Sequence, residues 1–473
     1  MNALYFKKLT KESDMSYIAR FISPMALAIG AFAISFSAMA SEKQINSQVQ
    51  LQELQQQIEI IKNNHQLEIE ALNKSINDLA LQPKDDQAKL NSGPSSLLGD
   101  TFKIGLSGLF AAAGSNANNG ELSGLQAGGH DPNRNGFSVQ NVELSIGATV
   151  DNYLDAQANI IFLIDSEGET AVELEEAFFT TRHLPFGFQI KAGQYFTEFG
   201  RHNPQHPHTW AFVDQPIVLS RFFGGDGLRS QGVRASWLAP TPWYSELYIG
   251  AQNANGETVT SFLAEGEGED PSEPETIGGY SLTSRDARDQ SDLLYSARWL
   301  NGFDVSNNLS MNIGLSGLLG PNASAKSTDT TIVGADVYLK WQPNQTQRGF
   351  PFVSWHTEIL QRRYEAIDGT TLAEETLKDW GIFSQVLWGF KPKWAAGFRV
   401  EYAEASGGYN KKDDPLRDQR KRVSPNITWF SSEYSKVRLQ YNKDWADHLV
   451  DHTSDSIFLQ VEFTIGSHAA HNF

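Results

Sequence analysis

The run Arg201-His202-Asn203-Pro204-Gln205-His206-Pro207-His208-Thr209-Trp210 gathers side chains that can do chemistry. His202, His206 and His208 offer three imidazoles to a divalent metal, and Asp214 offers a carboxylate as a fourth ligand. Zinc suits such a mixed nitrogen and oxygen set. Pro204 and Pro207 make the stretch an irregular loop, so no helix or strand face forces the ligands to converge. Histidines that pack or bond locally are the competing reading. His468 and His471 near the C-terminus form a second pair, for which polar residues on a rim are the plainer account. Covalent catalysis is poorly served. Serine, histidine and aspartate are abundant, but no Gly-x-Ser-x-Gly elbow accompanies the candidate strands. A cysteine count of 0 excludes thiolate nucleophiles, thiolate metal sites and disulfides. The chain therefore reads as a non-enzyme without a cofactor.

The elements that must hold this loop are strands. At the C-terminus Ile457, Leu459, Val461, Phe463 and Ile465 alternate with Ser456, Gln460, Glu462 and Thr464, and the chain closes on Phe473. Such a strand meets lipid on one side and a wet interior on the other. Val142, Leu144, Ile146 and Ala148 alternate with Glu143, Ser145 and Gly147. Val333, Ala335, Val337, Leu339 and Trp341 alternate with Gly334, Asp336, Tyr338 and Lys340. Connections run long and short by turns: long over 115–135 and 197–227, short at 151–153, 184–185 and 240–242, long over 255–290, short near 303–304. This order predicts an all-β membrane protein, a transmembrane antiparallel β-barrel of about 16 strands over 101–473. Trp243, Tyr244, Trp299, Trp341, Trp380, Trp388, Trp394 and Trp429 sit where aromatic girdles are expected.

Upstream, the apolar run 25–36 and Ala38-Met39-Ala40 read as a signal peptide over 1–40, with Met15 a candidate start. Residues 41–82 read as a short periplasmic coiled coil, in which Leu51, Leu54, Ile58 and Ile61 keep alternating steps of three and four. His65 falls on its seam, where a polar residue sets register. Pro83, Gly93 and Pro94 mark 83–100 as a linker. A formal net charge of -18 argues against nucleic acid as a partner.

By strand parity the lumen wall presents Lys191, Arg234, Arg298, Lys340, His356, Glu358, Arg399 and Glu401. Lys103, Arg438, Glu143, Asp155, Glu173, Glu175, Asp336 and Glu462 stand beside them. Both signs occur, an arrangement that sets up a transverse field rather than a one-sided anion ladder.

A signal peptide, a coiled coil and a barrel with a long third external loop together resemble the phosphate-selective porin O and P superfamily, particularly its stalked trimeric members. Two stretches carry a narrower likeness: Gly193-Gln194-Tyr195-Phe196-Thr197-Glu198-Phe199-Gly200-Arg201, and the ending Ser467-His468-Ala469-Ala470-His471-Asn472-Phe473. They are similar to gammaproteobacterial outer-membrane proteins labelled zinc-regulated porin or receptor. The resemblance implies a homotrimer in the outer membrane of a Gram-negative bacterium, with its stalk in the periplasm. It implies a third loop folded into the lumen, so that Arg201, His202, His206, His208, Asp214 and Arg221 form the pore constriction. A TonB-dependent receptor would need about 22 strands and a plug, more than a mature chain of this length supplies. The expected function is passive diffusion of small hydrophilic solutes or ions through a porin linked to zinc, with outer-membrane lipid as surroundings. The alternative is a zinc-capture protein in which the barrel is mainly an anchor.

Overall fold

Alternating apolar and polar residues can bury their backbone polar groups in lipid only if every strand finds two neighbours. The computed structural model describes residues 102–466, apart from 165–167, 264–275, 284, 286, 344–345, 347–348 and 410–411. The signal-peptide, stalk and linker readings over 1–100 lie outside the described residues, as do the ending 467–473 with His468 and His471.

From 102 onward the chain forms β1 (Phe102–Ser115), β2 (Gly136–Thr149), β3 (Leu154–Ile164), β4 (Thr170–Thr181), β5 (Phe188–Phe196), β6 (Arg229–Leu238), β7 (Tyr244–Asn253) and β8 (Leu293–Ser306). It continues with β9 (Leu309–Pro321), β10 (Asp329–Trp341), β11 (Phe352–Ile367), β12 (Glu374–Lys391), β13 (Trp394–Ser406), β14 (Arg420–Phe430), β15 (Ser435–Ala446) and β16 (Thr453–Gly466). Each strand pairs antiparallel with the next, and β16 returns to β1 to close a barrel of sixteen strands. The closing pair is long, from Gly105 opposite Gly466 to Ser115 opposite Ser456.

Its polarity is inverted relative to a water-soluble protein. Ile104, Val172, Ile249, Leu315, Val333, Phe398 and Val461 point outward and are exposed. Glu143, Arg234, Arg298, Asp336, Glu358, Arg399, Arg438 and Gln460 point inward and are buried. The exterior is the lipid face of a transmembrane barrel. No helix among the described residues is long and apolar enough to cross a membrane. Exposed Trp243, Trp341, Trp388 and Trp429 gather at the short-turn end, where Trp394 lies 6.4 Å from Trp429. Trp299 lies midway along β8, away from that girdle.

A shifted turn and a bulge bear on the interior. The turn expected near 303–304 falls after Ser306, because Phe303 and Asp304 still pair with Met311 and Ser310. In the β3–β4 ladder Asn159 faces Glu176 while Ile160 faces Leu174, so Glu175 is an extra residue in a bulge. Glu175 and Glu176 are consequently both buried in the interior.

Long loops fold inward among the described residues. The third, L3 (197–228), carries α2 (Ile217–Phe223), all of whose residues are buried. The first contains α1 (Asn119–Leu125), capped by Asn118 with Glu121 reaching back to the cap. Phe199, Leu219, Phe222 and Phe223 of L3 pack with Val259, Phe262 and Leu263 of the β7–β8 loop against Leu318, Ile332 and Leu360. This apolar cluster wedges L3 in the barrel.

Val400 lies midway along β13 on the lipid face. Val400→Arg is expected to lower folding stability by about 2–4 kcal/mol in lipid vesicles. Val450→Arg, on an exposed loop, should stay within about 0.5 kcal/mol. Urea unfolding followed by tryptophan fluorescence distinguishes them, and equal effects would refute the assignment of the β13 outer face to lipid.

Candidate functional site inside the barrel

L3 is held by main-chain groups that find acids on the wall. At its start Gly200 adopts a left-handed conformation with φ 58, and a Cβ there would lie 2.2 Å from Glu358 Oε2. The turn aims two successive amides at one carboxylate: Arg201 N–H and His202 N–H both donate to Glu358 Oε1 at 2.7 Å. His356 Nε2 lies 2.9 Å from the same oxygen. Further along, Glu401 accepts from Ile217 N–H at 2.7 Å, the first residue of α2.

Asp214 is the strongest anchor. Its carboxylate accepts from Arg399 at 2.5 Å, Arg422 at 2.8 Å, Gln440 at 2.8 Å, Asn442 at 2.7 Å and Gln126 at 3.1 Å. Side chains of Asp214 and Arg399 are both 0% exposed. Burial alone would raise the carboxyl, but the two guanidiniums outweigh it and hold Asp214 below the ordinary carboxylate range. Arg438 adds donors to the carbonyls of Trp210 and Phe212, and Lys436 donates to that of His208.

The expected constriction residues are therefore dispersed along L3. Arg201 stacks over Tyr338, 3.8 Å from its ring centre, and lines a small cavity of 90 Å³ with Glu198, Arg298 and Asp336. Arg221 bonds Asp418 and faces a separate cavity of 540 Å³ toward the long loops, shared with Arg362 and Arg417. Burial, partly offset by Asp418, pulls Arg221 down to about 10, still cationic at neutrality. A third cavity, of 630 Å³, opens at the short-turn end beside Tyr244, Tyr248 and Phe303. L3 lies between the outer cavity and the inner two.

The three histidines do not come together. His202 is buried among Trp210, Phe383 and His356, with ring centres 5.1, 5.9 and 6.5 Å away. Burial holds its imidazole well below the usual range. His206 and His208 stack at 5.7 Å on the opposite wall. His208 Nδ1 is 3.0 Å from Glu143, and His206 meets Glu175 at 2.8 Å and Glu176 at 3.0 Å. Burial opposes a charge on His206, yet Glu143 and Glu175 prevail and raise it well above the ordinary value. Asp214, offered as a fourth ligand with these histidines, instead serves the arginines.

Most wall residues anticipated from parity are ion-paired. Lys191 and Arg234 share Glu198 at 3.3 and 3.1 Å, Arg298 grips Asp336 with two bonds, and Arg399 Nε lies 2.7 Å from Glu401. Lys340 borders a cavity with Tyr338 and Gln342 at the short-turn end. Acids cluster on β2 and β4, where Glu143, Glu173, Glu175 and Glu176 lie. Arginines cluster on β11 and β13–β15, at 362, 399, 420, 422 and 438. Alternation places Glu176 on the outer face, and only the bulge reveals it. Asp379, which joins Arg362 at 2.5 Å to Arg417 at 2.7 Å, carries no local motif.

The chain is 32% identical over 396 residues to an uncharacterized protein of Aquifex aeolicus, covering 77% of this chain and 78% of that one. No protein-family model matches it. Among solved structures it is similar to the outer membrane channel DcaP of Acinetobacter baumannii, at 11% identity over 77% of this chain and 96% of that one, TM-score 0.49. Pseudomonas putida OprB gives 11% identity, 78% and 96% coverage and TM-score 0.49. The trimer form of Vibrio cholerae OmpT gives 11%, 77% and 99%, with TM-score 0.45.

Asp214→Ala leaves Arg399 and Arg422 buried with one carboxylate fewer, which should cost about 3–5 kcal/mol. Hydrogen exchange is expected to rise across 205–223 while the barrel strands stay protected. Unchanged protection of that segment would show that Asp214 does not anchor L3.

Proposed function

We propose that this chain, which belongs to the same family as the uncharacterized Aquifex aeolicus protein, is a porin of a Gram-negative outer membrane. Small hydrophilic solutes or ions diffuse passively through one lumen per protomer, without a cofactor or covalent chemistry. One observation carries the reading: a closed barrel with an apolar exterior encloses a charged interior that L3 narrows between two vestibules. A barrel serving only as an anchor has no need of so many inward-facing ionised groups, each expensive to remove from water.

In this reading Arg201 and Arg221 meet the solute from opposite sides of L3. His202, His206, His208 and Asp214 shape the constriction by packing and bonding. Acids on β2–β4 and arginines on β11 and β13–β15 order water and ions in the pore. Selectivity follows from pore width and from this field rather than from a single binding residue. The protein acts as a homotrimer, with 41–82 forming a periplasmic stalk that clamps the three chains.

Reconstituted protein should give stepwise conductance in planar bilayers, with openings in triplets, and a reversal potential in a salt gradient reads the sign of its selectivity. Folded protein that never conducts would overturn the porin reading in favour of an anchor that captures metal. Deleting 50–79 is expected to weaken detergent-resistant trimers while leaving single openings intact. Trimers of unchanged stability would refute the clamp.

A further inference from the structure

The inner face of β2 and β4 gathers buried carboxylates around one imidazole. Glu143, Glu175 and Glu176 are all buried there, and the nearest guanidinium, that of Arg229, is bonded to Glu173 and stays 4.0 Å from Glu175. Into this pocket L3 inserts His206. Its Nδ1 stands 2.8 Å from Glu175 Oε2 and 3.5 Å from Glu143 Oε2. Donor atoms of Glu143, Glu175 and His206 all lie within 4.8 Å of one another.

Two observations separate this group from an ordinary ion pair. Glu175 is fully buried, yet beyond its close approach to His206 neither carboxylate oxygen receives a well-aligned hydrogen bond. His130 Nε2, 3.8 Å from Glu175 Oε1, likewise lacks a hydrogen-bond partner while 3% exposed. The second observation concerns the far side of the His206 ring. Nε2 is 3.0 Å from Glu176 Oε2, and that oxygen also accepts from Asn159 at 2.9 Å. A carboxylate on one ring nitrogen turns the other toward Glu143 and Glu175 and fixes the ring plane, the arrangement found behind metal-binding histidines.

We propose that Glu143, Glu175 and His206 hold a first-row divalent transition-metal ion that pins L3 to the β2–β4 wall. Two carboxylates and an imidazole supply three ligands of a four-coordinate site, with His208 Nδ1, 3.0 Å from Glu143 Oε2, beside the open position. Imidazole favours zinc, cobalt or nickel over magnesium or calcium. The dication neutralises carboxylate charge, and Glu176 acts through His206 as its positioning residue. None of this requires solute flow, so binding is tested apart from conductance.

The test uses tag-free, full-length protein in detergent, stripped with chelator and then dialysed against zinc chloride or magnesium chloride. Elemental analysis after gel filtration is expected to find about one zinc per chain and no retained magnesium. Glu175→Gln, which preserves shape, and His206→Ala should lose the zinc. Glu176→Gln should bind about 10–100-fold more weakly by calorimetry. His202→Ala, outside the cluster, should retain it. Cobalt loading should add visible d–d absorption in the wild type that is absent from Glu175→Gln. Heat-modifiable migration on gels verifies that each variant keeps its barrel. Zinc retained by folded Glu175→Gln and His206→Ala, magnesium bound as well as zinc, or no metal on the wild type would each overturn the proposal. The last result would leave a proton-bridged histidine and glutamate network in its place.

Discussion

Closure is the constraint on which the rest depends. Backbone groups facing hydrocarbon have no water to bond, so an open sheet edge in the membrane would leave a row of costly unpaired donors and acceptors. Pairing β16 with β1 removes both edges at once. Once the cylinder closes, alternate residues are committed to opposite environments. Every outward position favours apolar side chains and every inward one faces whatever fills the lumen. The inverted polarity of this chain is the consequence.

L3 occupies part of the lumen. L3 crosses from β5 and β6 to the opposite wall, and its apolar residues form a cluster that would be unremarked in a soluble core. Polar ends of the loop then meet ionised side chains already facing inward. Buried charges are tolerable only when paired and fully bonded. Asp214 with Arg399 and Arg422, and Glu358 with the amides of 201 and 202, satisfy that requirement while fixing the position of the loop. The same contacts thus stabilise L3 and set the width between the two vestibules.

Charge is also sorted around the circumference. Asp379 and Asp444 each receive two arginines on the basic side, whereas the acids of β2 and β4 share few cations. A lumen lined this way presents a field across its axis, and the acidic wall is the place where a bound cation would relieve most repulsion. Geometry around His206, with one ring nitrogen on Glu176 and the other among two carboxylates, belongs to that imbalance.

Period-two alternation by itself determined the barrel, its strand number, the outward face and the order of long and short connections, because lipid on one side and lumen on the other act on each strand locally. Parity also put Arg298, Lys340, Glu358 and Arg399 on the polar face of their strands. The grouping of L3 residues was decided by tertiary structure alone. His202, His206 and His208 are neighbours in sequence, yet a loop spanning the lumen sends the first to His356 and the others to Glu143 and Glu175. Asp214 finds Arg399, 185 residues away, by the same crossing. Glu176 turns inward through a bulge that no alternation rule signals. Strand periodicity is a short-range property written in adjacent residues, whereas partners across a lumen depend on where a loop comes to rest, and that is set by packing against many strands at once.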